Sequence, residues 1–435
     1  MSEIHTSGAK APQGEKIDIL VVGGGGREHA VVKKLSESPR AGKIYCAPGN
    51  GGIARLAACV PIGAKDLPGL VAFAKERGVG LVFVAPDDPL ALGLVDELGA
   101  AGIRAFGPDK AAARIEGSKV FAKELMRKYG IPTAGYEVFG DPARALGFIR
   151  ERGRYPAVIK AEGLALGKGV VIAQNETQAR EALHSIMEEK VFGASGNRVV
   201  VEEFLTGPEV SVLAFTDGET LKPMVSSKDH KRAGDGDTGL NTGGMGTISP
   251  NPCYTPEIAR VCMETIFLPT LHAMNAEGCP FKGCLYFGLM LTPEGPKVIE
   301  YNCRFGDPET QVVLPRLKTD LLDIVDAVID GRLESQPVEW DDGAAACVVA
   351  ASGGYPERYE TGKPITGIEE AEAVEGVSVF HAGTERRDGA LVTSGGRVLG
   401  VTATAPTLAQ ALEKAYAGAA KIRFDGMFYR HDIGR

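Results

Sequence analysis

Residues 297–309 read KVIEYNCRFGDPE. Val298, Ile299 and Tyr301 predict a strand. In a strand Glu300 and Asn302, two apart, project from one face while Ile299 and Tyr301 point to the other. A carboxylate and an amide oxygen side by side are hard ligands. Mg²⁺ on nucleotide phosphates takes one or two such protein oxygens and completes its shell with phosphate and water. Arg304, just beyond, offers a fixed fork of donors for an anion. A half-buried strand running into a turn at Gly306, Asp307 and Pro308 would account for the same residues without any chemistry, so the choice rests on the remainder of the chain.

The 435 residues are 44% hydrophobic and 24% charged. That is an ordinary globular composition with room for roughly two to four domains. The balance of 48 Lys and Arg against 56 Asp and Glu gives a net charge of −8, which argues against a surface built to grip nucleic acid or an anionic membrane. Any phosphate must therefore be held locally. The eight cysteines contain no CxxC pair, and Cys279 and Cys284 lack the partners of a zinc site. Reduced, packing thiols in a cytoplasmic protein are expected. No apolar run approaches the roughly 18 residues of a membrane helix, and residues 1–15 read as a flexible tail.

The chain proper opens with an apolar strand at 17–22, then Gly23, Gly24, Gly25, Gly26, Arg27, Glu28 and His29, then a helical run. Strand, glycine turn and helix start make a crossover unit whose amides suit a phosphate, although the third glycine of a dinucleotide fingerprint is missing. Gly49, Asn50 and Gly51 follow a second strand, and Asp87 follows the buried-looking strand at 81–85. Three such strand ends would line the ligand-binding edge of a parallel sheet. From Ser118, a plausible N-cap, a helix carries Lys119 in its first turn and closes at Gly130. Lys160 ends a strand, and Gly163, Gly167, Lys168 and Gly169 form a hairpin tip able to fold over a nucleotide, or simply a surface hairpin. Glu202, Glu203, Phe204 and Leu205 end another strand at an edge that can stack and hydrogen-bond an adenine, with Glu209 within reach of ribose hydroxyls. Residues 227–246 form a basic, then glycine-rich segment, read as a long functional loop. In it His230 is a base, a phosphate contact or a solvated residue.

The ordered set GGGGREHA (23–30), APGNGG (47–52), GSKVFAKELMRKYGIPTA (117–134), VIKAEGLALGKGV (158–170), VVEEFLTGPEVSV (200–212), SSKDHKRAGDGDTGLNTGGMGTISP (226–250), FKGCLYFGLML (281–291) and VIEYNCRFGDPETQ (298–311) resembles the glycinamide ribonucleotide synthetase family of ATP-grasp enzymes. The likeness runs from residue 17 to the final FYRHDIG. It departs at 160–165, where members usually read KADGLA, at 85–87, where they read GPE, and at Leu166, where a small residue is usual.

The resemblance implies ligation of glycine to 5-phosphoribosylamine with ATP, in purine synthesis. It implies Glu300 and Asn302 as ligands of Mg²⁺ or Mn²⁺, and Lys119 and Lys160 on nucleotide phosphates. Gly163, Gly167, Lys168 and Gly169 would lie over ATP, Glu202, Glu203, Phe204 and Leu205 at adenine, and Glu209 at ribose. Gly24, Gly25, Gly26, Arg27, Gly49, Asn50, Gly51, Asp87, Lys231 and Arg304 would meet phosphoribosylamine. Arg304, Lys160, His230 and Asp229 are the catalytic candidates. The expected architecture is multidomain, mixed α/β and α+β: a parallel-sheet domain at 16–115, an ATP-grasp core at 116–335 with a mobile lid near 132–195, and a small C-terminal α+β domain at 336–435 in which nothing announces chemistry and whose expected job is to complete the substrate cleft and pack on the ATP-binding core. Partners are small molecules only, with a monomer expected and a dimer as the alternative. A related ATP-grasp ligase or carboxylase would share the lysines and metal pair, but would not be expected to keep Asp229, His230, Lys231 and Arg232 together with the 241–246 run. An oxidoreductase would use the first glycine turn and leave the rest idle.

Overall fold

The computed structural model describes residues 16–164 and 169–435; the tail at 1–15, and Gly167 and Lys168 of the glycine hairpin, lie outside the described residues. The first domain is a five-stranded parallel sheet in the order Ala58–Cys59, Ala41–Pro48, Ile17–Gly23, Leu81–Val84, Ala105–Phe106. Leu81–Val84 is buried at every position, since both faces of the sheet are covered. Leu20, Val22, Val82 and Val84 enter one core. Ile19, Val21, Leu81 and Phe83 enter another, which they share with helices Gly26–Ser36 and Leu321–Ile329. The second of these helices is apolar on nearly all sides and packs between the parallel sheet and the central one. Arg40 and Arg104 clamp it through Asp323, Asp326 and Asp330 at 2.6 to 2.8 Å.

The central sheet is antiparallel, in the order Leu221–Pro223, Glu209–Asp217, Lys282–Thr292, Gly295–Asn302. The strand expected at 298–301 is its edge. Gly288 pairs with Glu300 but the next residue, Leu289, pairs with Val298, so Ile299 is an inserted residue. This bulge corrects the expected alternation: Val298 and Tyr301 face the core, at 0% and 3% exposure, and Ile299 does not share their face. Glu300 and Asn302 stay together on the outer side.

A second small sheet, Tyr136–Phe139, Val199–Glu203, Ala157–Ala161, Val170–Ala173, carries helices Pro142–Arg152 and Glu176–Leu183 around a core of its own. It includes Val199–Glu203, beyond the 132–195 span expected for the lid. Helix Lys119–Tyr129 begins as its sequence suggests, with Ser118 Oγ accepting the Phe121 N–H at 3.1 Å, and ends at Gly130 in the left-handed region, φ +68°.

The last sheet is antiparallel, Lys228–Asp229, Gly246–Ser249, Ala344–Ala351, Arg397–Ala405, Val377–His381, with helix Leu408–Ala419 packed on it. Its first strand, and the separate pair Arg232–Gly234 and Thr238–Asn241, come from the segment read as one long loop, whose last residue opens Gly246–Ser249. That reading is corrected because sheet pairing needs backbone partners rather than apolar side chains: fully buried Ser249 donates to the Ser226 carbonyl and accepts from Arg316, both at 2.8 Å.

Phe305, 1% exposed, joins the first two bodies, its ring centroid 5.9 Å from Phe83, 6.4 Å from Phe106 and 6.0 Å from Phe215. Phe305→Ala should cost about 3–5 kcal/mol, the range for truncating a buried aromatic. Denaturant titration reads this as a lowered midpoint; an unchanged midpoint would remove Phe305 from the interdomain core.

Candidate active site

Lys160, last but one in Ala157–Ala161, crosses from the lid to the central sheet. Its Nζ donates to the Ile299 carbonyl at 3.0 Å and lies 3.1 Å from Glu202 Oε1. Glu202 Oε2 also pairs with Lys123 at 3.0 Å. The Glu202 side chain, expected at adenine, is thus a buried bracket for two lysines. Lys119 Nζ donates to the Gly163 carbonyl at 2.9 Å. Burial pulls its ammonium below the usual range, with Glu300 opposing the shift and Lys160 adding to it. Gly169 accepts from the Ala161 N–H at 2.8 Å at the base of the hairpin. Glu162, at a position of departure, pairs with Arg198 and accepts from Ser118 Oγ at 3.3 Å. Glu203 takes the Gly135 N–H at 2.9 Å, Phe204 is 40% exposed, and Leu205 is half-buried.

Lys231 lies between two carboxylates, 3.3 Å from Glu300 and 3.6 Å from Glu209. Its ammonium, with those of Lys160 and Lys119 behind it, holds Glu300 at about 2 against the opposing effect of burial. Glu300 is therefore ionised, and with 37% of its side chain exposed it can be reached from the cleft. Asn302 Oδ1 accepts from Arg304 at 3.2 Å.

Arg304 is bound to Glu116 at 3.0 Å, a residue the sequence reading missed, and Glu116 also accepts the Cys303 N–H at 2.7 Å. Arg27 and Arg304 both donate to the Phe305 carbonyl at 3.2 Å. Asp87 sits in their field: burial would raise its carboxyl, but the two guanidiniums lower it. Among the described residues Arg304 Nε has no protein partner.

A cavity of about 350 Å³ opens where three bodies meet. The first domain supplies Gly24, Gly25, Gly49 and Asn50; the 304–309 turn supplies Asp307; the C-terminal domain supplies Tyr355, residues 382–384, Ser394, Gly395 and Arg397. The C-terminal domain, in which the sequence announces no chemistry but which is expected to complete the substrate cleft, thus forms one wall of this cavity. Gly24 is required here: a Cβ would lie 2.5 Å from the Gly49 carbonyl. Gly26 begins the helix, and the Gly51 N–H is taken by the Thr384 carbonyl at 3.0 Å. Asn50, expected to touch substrate, spends its whole amide internally. Its Nδ2 donates to the carbonyls of Gly24 and His381, and its Oδ1 accepts from the N–H groups of Gly52 and Ile53. An amide has no more to give, so Asn50 shapes the loop.

His230 is also corrected. Its Nε2 accepts the Gly434 N–H at 3.0 Å and its Nδ1 faces the Gly246 carbonyl at 3.2 Å. Burial, with Lys228 next, lowers it to about 4, so the neutral ring is a structural link with no nitrogen left for a proton. Asp229 accepts the His230 N–H at 2.7 Å, and burial, with Glu309 next, raises its carboxyl.

Family models match along the chain: the N domain of phosphoribosylglycinamide synthetase at residues 17–116, its ATP-grasp (A) domain at 117–310 and its C domain at 345–435. A phosphoribosylamine–glycine ligase of Caldanaerobacter subterraneus is 50% identical over 415 residues, 95% of this chain and 99% of that one. One of Brucella melitensis is 51% identical over 416 residues, 96% and 97% of the two chains. The crystal structure of the phosphoribosylamine–glycine ligase of Thermotoga maritima superposes with a TM-score of 0.84 at 35% identity, covering 96% of this chain and all of that one. The chain therefore belongs to the phosphoribosylglycinamide synthetase family, with that family's N, ATP-grasp and C domains.

Proposed function

We propose that this chain ligates glycine to 5-phosphoribosylamine at the expense of ATP, giving glycinamide ribonucleotide, ADP and phosphate, and that the reaction runs through glycyl phosphate. The observation that carries the reading is the convergence of Lys119, Lys160, Lys231 and Arg304 on the ionised Glu300 and the Asn302 amide oxygen. Phosphoryl transfer to an anionic acceptor asks for position and positive charge more than for a nucleophilic side chain. Glu300 and Asn302 fit Mg²⁺ or Mn²⁺: they are hard oxygen donors on one strand face, and among the described residues no group of three or more His, Cys, Asp or Glu side chains could hold a metal without further ligands. An ion taking the rest of its shell from nucleotide phosphate suits that pair, and when bound it would neutralise phosphate charge.

In this reading Lys119 and Lys160 hold the ATP phosphates, the exposed Phe204 and the Leu205 backbone meet adenine, and Glu209 meets ribose. The three-domain cavity takes the phosphoribosyl end, with Gly24, Gly49, Ser394 and Arg397 around it. Arg304, tied to Glu116 but with Nε unpartnered in the protein, holds the glycine carboxylate as it attacks the γ-phosphoryl group. The amine of phosphoribosylamine then attacks the acyl carbon, phosphate leaves, and the nitrogen loses a proton. Among the described residues no helix is long and apolar enough to cross a membrane, and a monomer acting in the cytoplasm is part of the proposal.

Glu300→Gln keeps the shape and removes the charge. Glycine-dependent ADP release should fall about 100-fold or more, the scale of losing one preorganised electrostatic contact, with an unchanged circular dichroism spectrum. Near-normal turnover at ordinary Mg²⁺ would end the metal assignment. The route is tested separately. With glycine labelled by heavy oxygen in its carboxylate, each released phosphate should carry one labelled oxygen; unlabelled phosphate, with product still forming, would falsify the acyl phosphate.

A further inference from the structure

Residues 23–30 supply glycines and Arg27 to the site, yet His29 has no part in the chemistry above. Its ring is 6% exposed, edge-on to Phe380 at 5.7 Å and tilted against His381 at 5.4 Å. His29 Nδ1 accepts the backbone N–H of His381 at 2.8 Å. The carbonyl of the same His381 accepts from Asn50 Nδ2 at 2.7 Å. Two more bonds cross the same seam, the Gly51 N–H to the Thr384 carbonyl at 3.0 Å and Lys33 Nζ to Ser378 Oγ at 2.6 Å. His381 is the last residue of Val377–His381, and from it the chain turns directly into residues 382–384, one wall of the three-domain cavity.

We propose that His29 is a positioning residue for the ribonucleotide substrate: by accepting the His381 N–H it sets the 382–384 wall against the 49–51 loop at the distance the phosphoribosyl group requires. This rests on the reading of that cavity as the phosphoribosylamine site. The role needs an unprotonated Nδ1. Burial, then the neighbouring His381, Lys33 and Arg55, push His29 well below its ordinary 6.5. Burial, with Arg55 and Arg386, lowers His381 to about 4. The contact therefore persists as pH falls through the usual histidine range and is lost only when pH reaches the lowered value. His381 Nδ1 lies 3.1 Å from Thr384 Oγ1, which ties its ring to the same wall.

His29→Leu keeps apolar bulk and removes the acceptor, whereas His29→Asn retains an acceptor on a short side chain. Calorimetric titration of glycinamide ribonucleotide, the stable product, into each enzyme with MgADP reads the cavity directly. His29→Leu should weaken that binding about tenfold or more, as expected when a buried N–H loses its partner. The KM for phosphoribosylamine should rise by more than kcat falls, and the KM for ATP should stay within about twofold. His29→Asn should recover most of the loss, and the ratio of wild-type to His29→Leu affinity should stay constant from about pH 8 to about pH 6, a comparison in which the titration of the ligand's own phosphate and amine cancels. Equal binding by His29→Leu and wild type, equal losses toward ATP and ribonucleotide, or no recovery by His29→Asn would each overturn the role. A wild-type enzyme that binds MgADP but not glycinamide ribonucleotide would instead overturn the reading of the cavity on which the role rests.

Discussion

The Ile299 carbonyl can hold the Lys160 ammonium because the strand that bears it carries one residue more than its neighbour requires. In an unbroken antiparallel ladder the peptide groups of that stretch would alternate in register with Lys282–Thr292, and Glu300 would change sides with any slip. The bulge keeps Val298 and Tyr301 in the core, Glu300 and Asn302 outside, and turns a carbonyl toward the lid. Thr133 Oγ1 donates to the Val298 carbonyl at 2.7 Å and the Val298 N–H donates to Pro132 at 2.8 Å. The small four-stranded sheet and the central sheet are thus referenced to one irregular residue.

Around that point the charges are matched in pairs: Lys160 with Glu202, Lys231 with Glu300, Arg304 with Glu116. Gathering cations in a partly dry site carries a desolvation cost that pairing only partly offsets. The carboxylates hold each cation in place. The cost is carried by ordinary packing elsewhere, above all the apolar helix Leu321–Ile329 between two sheets.

Much of this is legible in the sequence because it is local. Period-two placement of Glu300 and Asn302, the Ser118 cap, the apolar run of a covered parallel strand and the glycine turn are written over a few residues each. What is not legible depends on contacts far apart in the chain. Glu116 reaches Arg304, Gly434 takes the second nitrogen of His230, and Asn50 exhausts its amide partly on the C-terminal His381. The bulge escapes as well, since VIEYN alternates well enough without it and only the partner strand shows the slip. Ser394, Gly395 and Gly396 ahead of Arg397 were a usable signal, a small-residue turn at a strand start, but in a region of turns nothing distinguishes it.

The Gly295–Asn302 strand is the margin of its sheet, and the base of the lid covers it through the parallel bridge between Thr133 and Val298. Bare sheet margins offer free peptide groups to other chains and recruit them into added strands, while bulges and covering segments blunt that tendency. The lid's base therefore also guards colloidal behaviour. A chain trimmed of the lid would lose Lys160 and also uncover an adhesive border beside Glu300 and Asn302, so that self-association would accompany the lost chemistry.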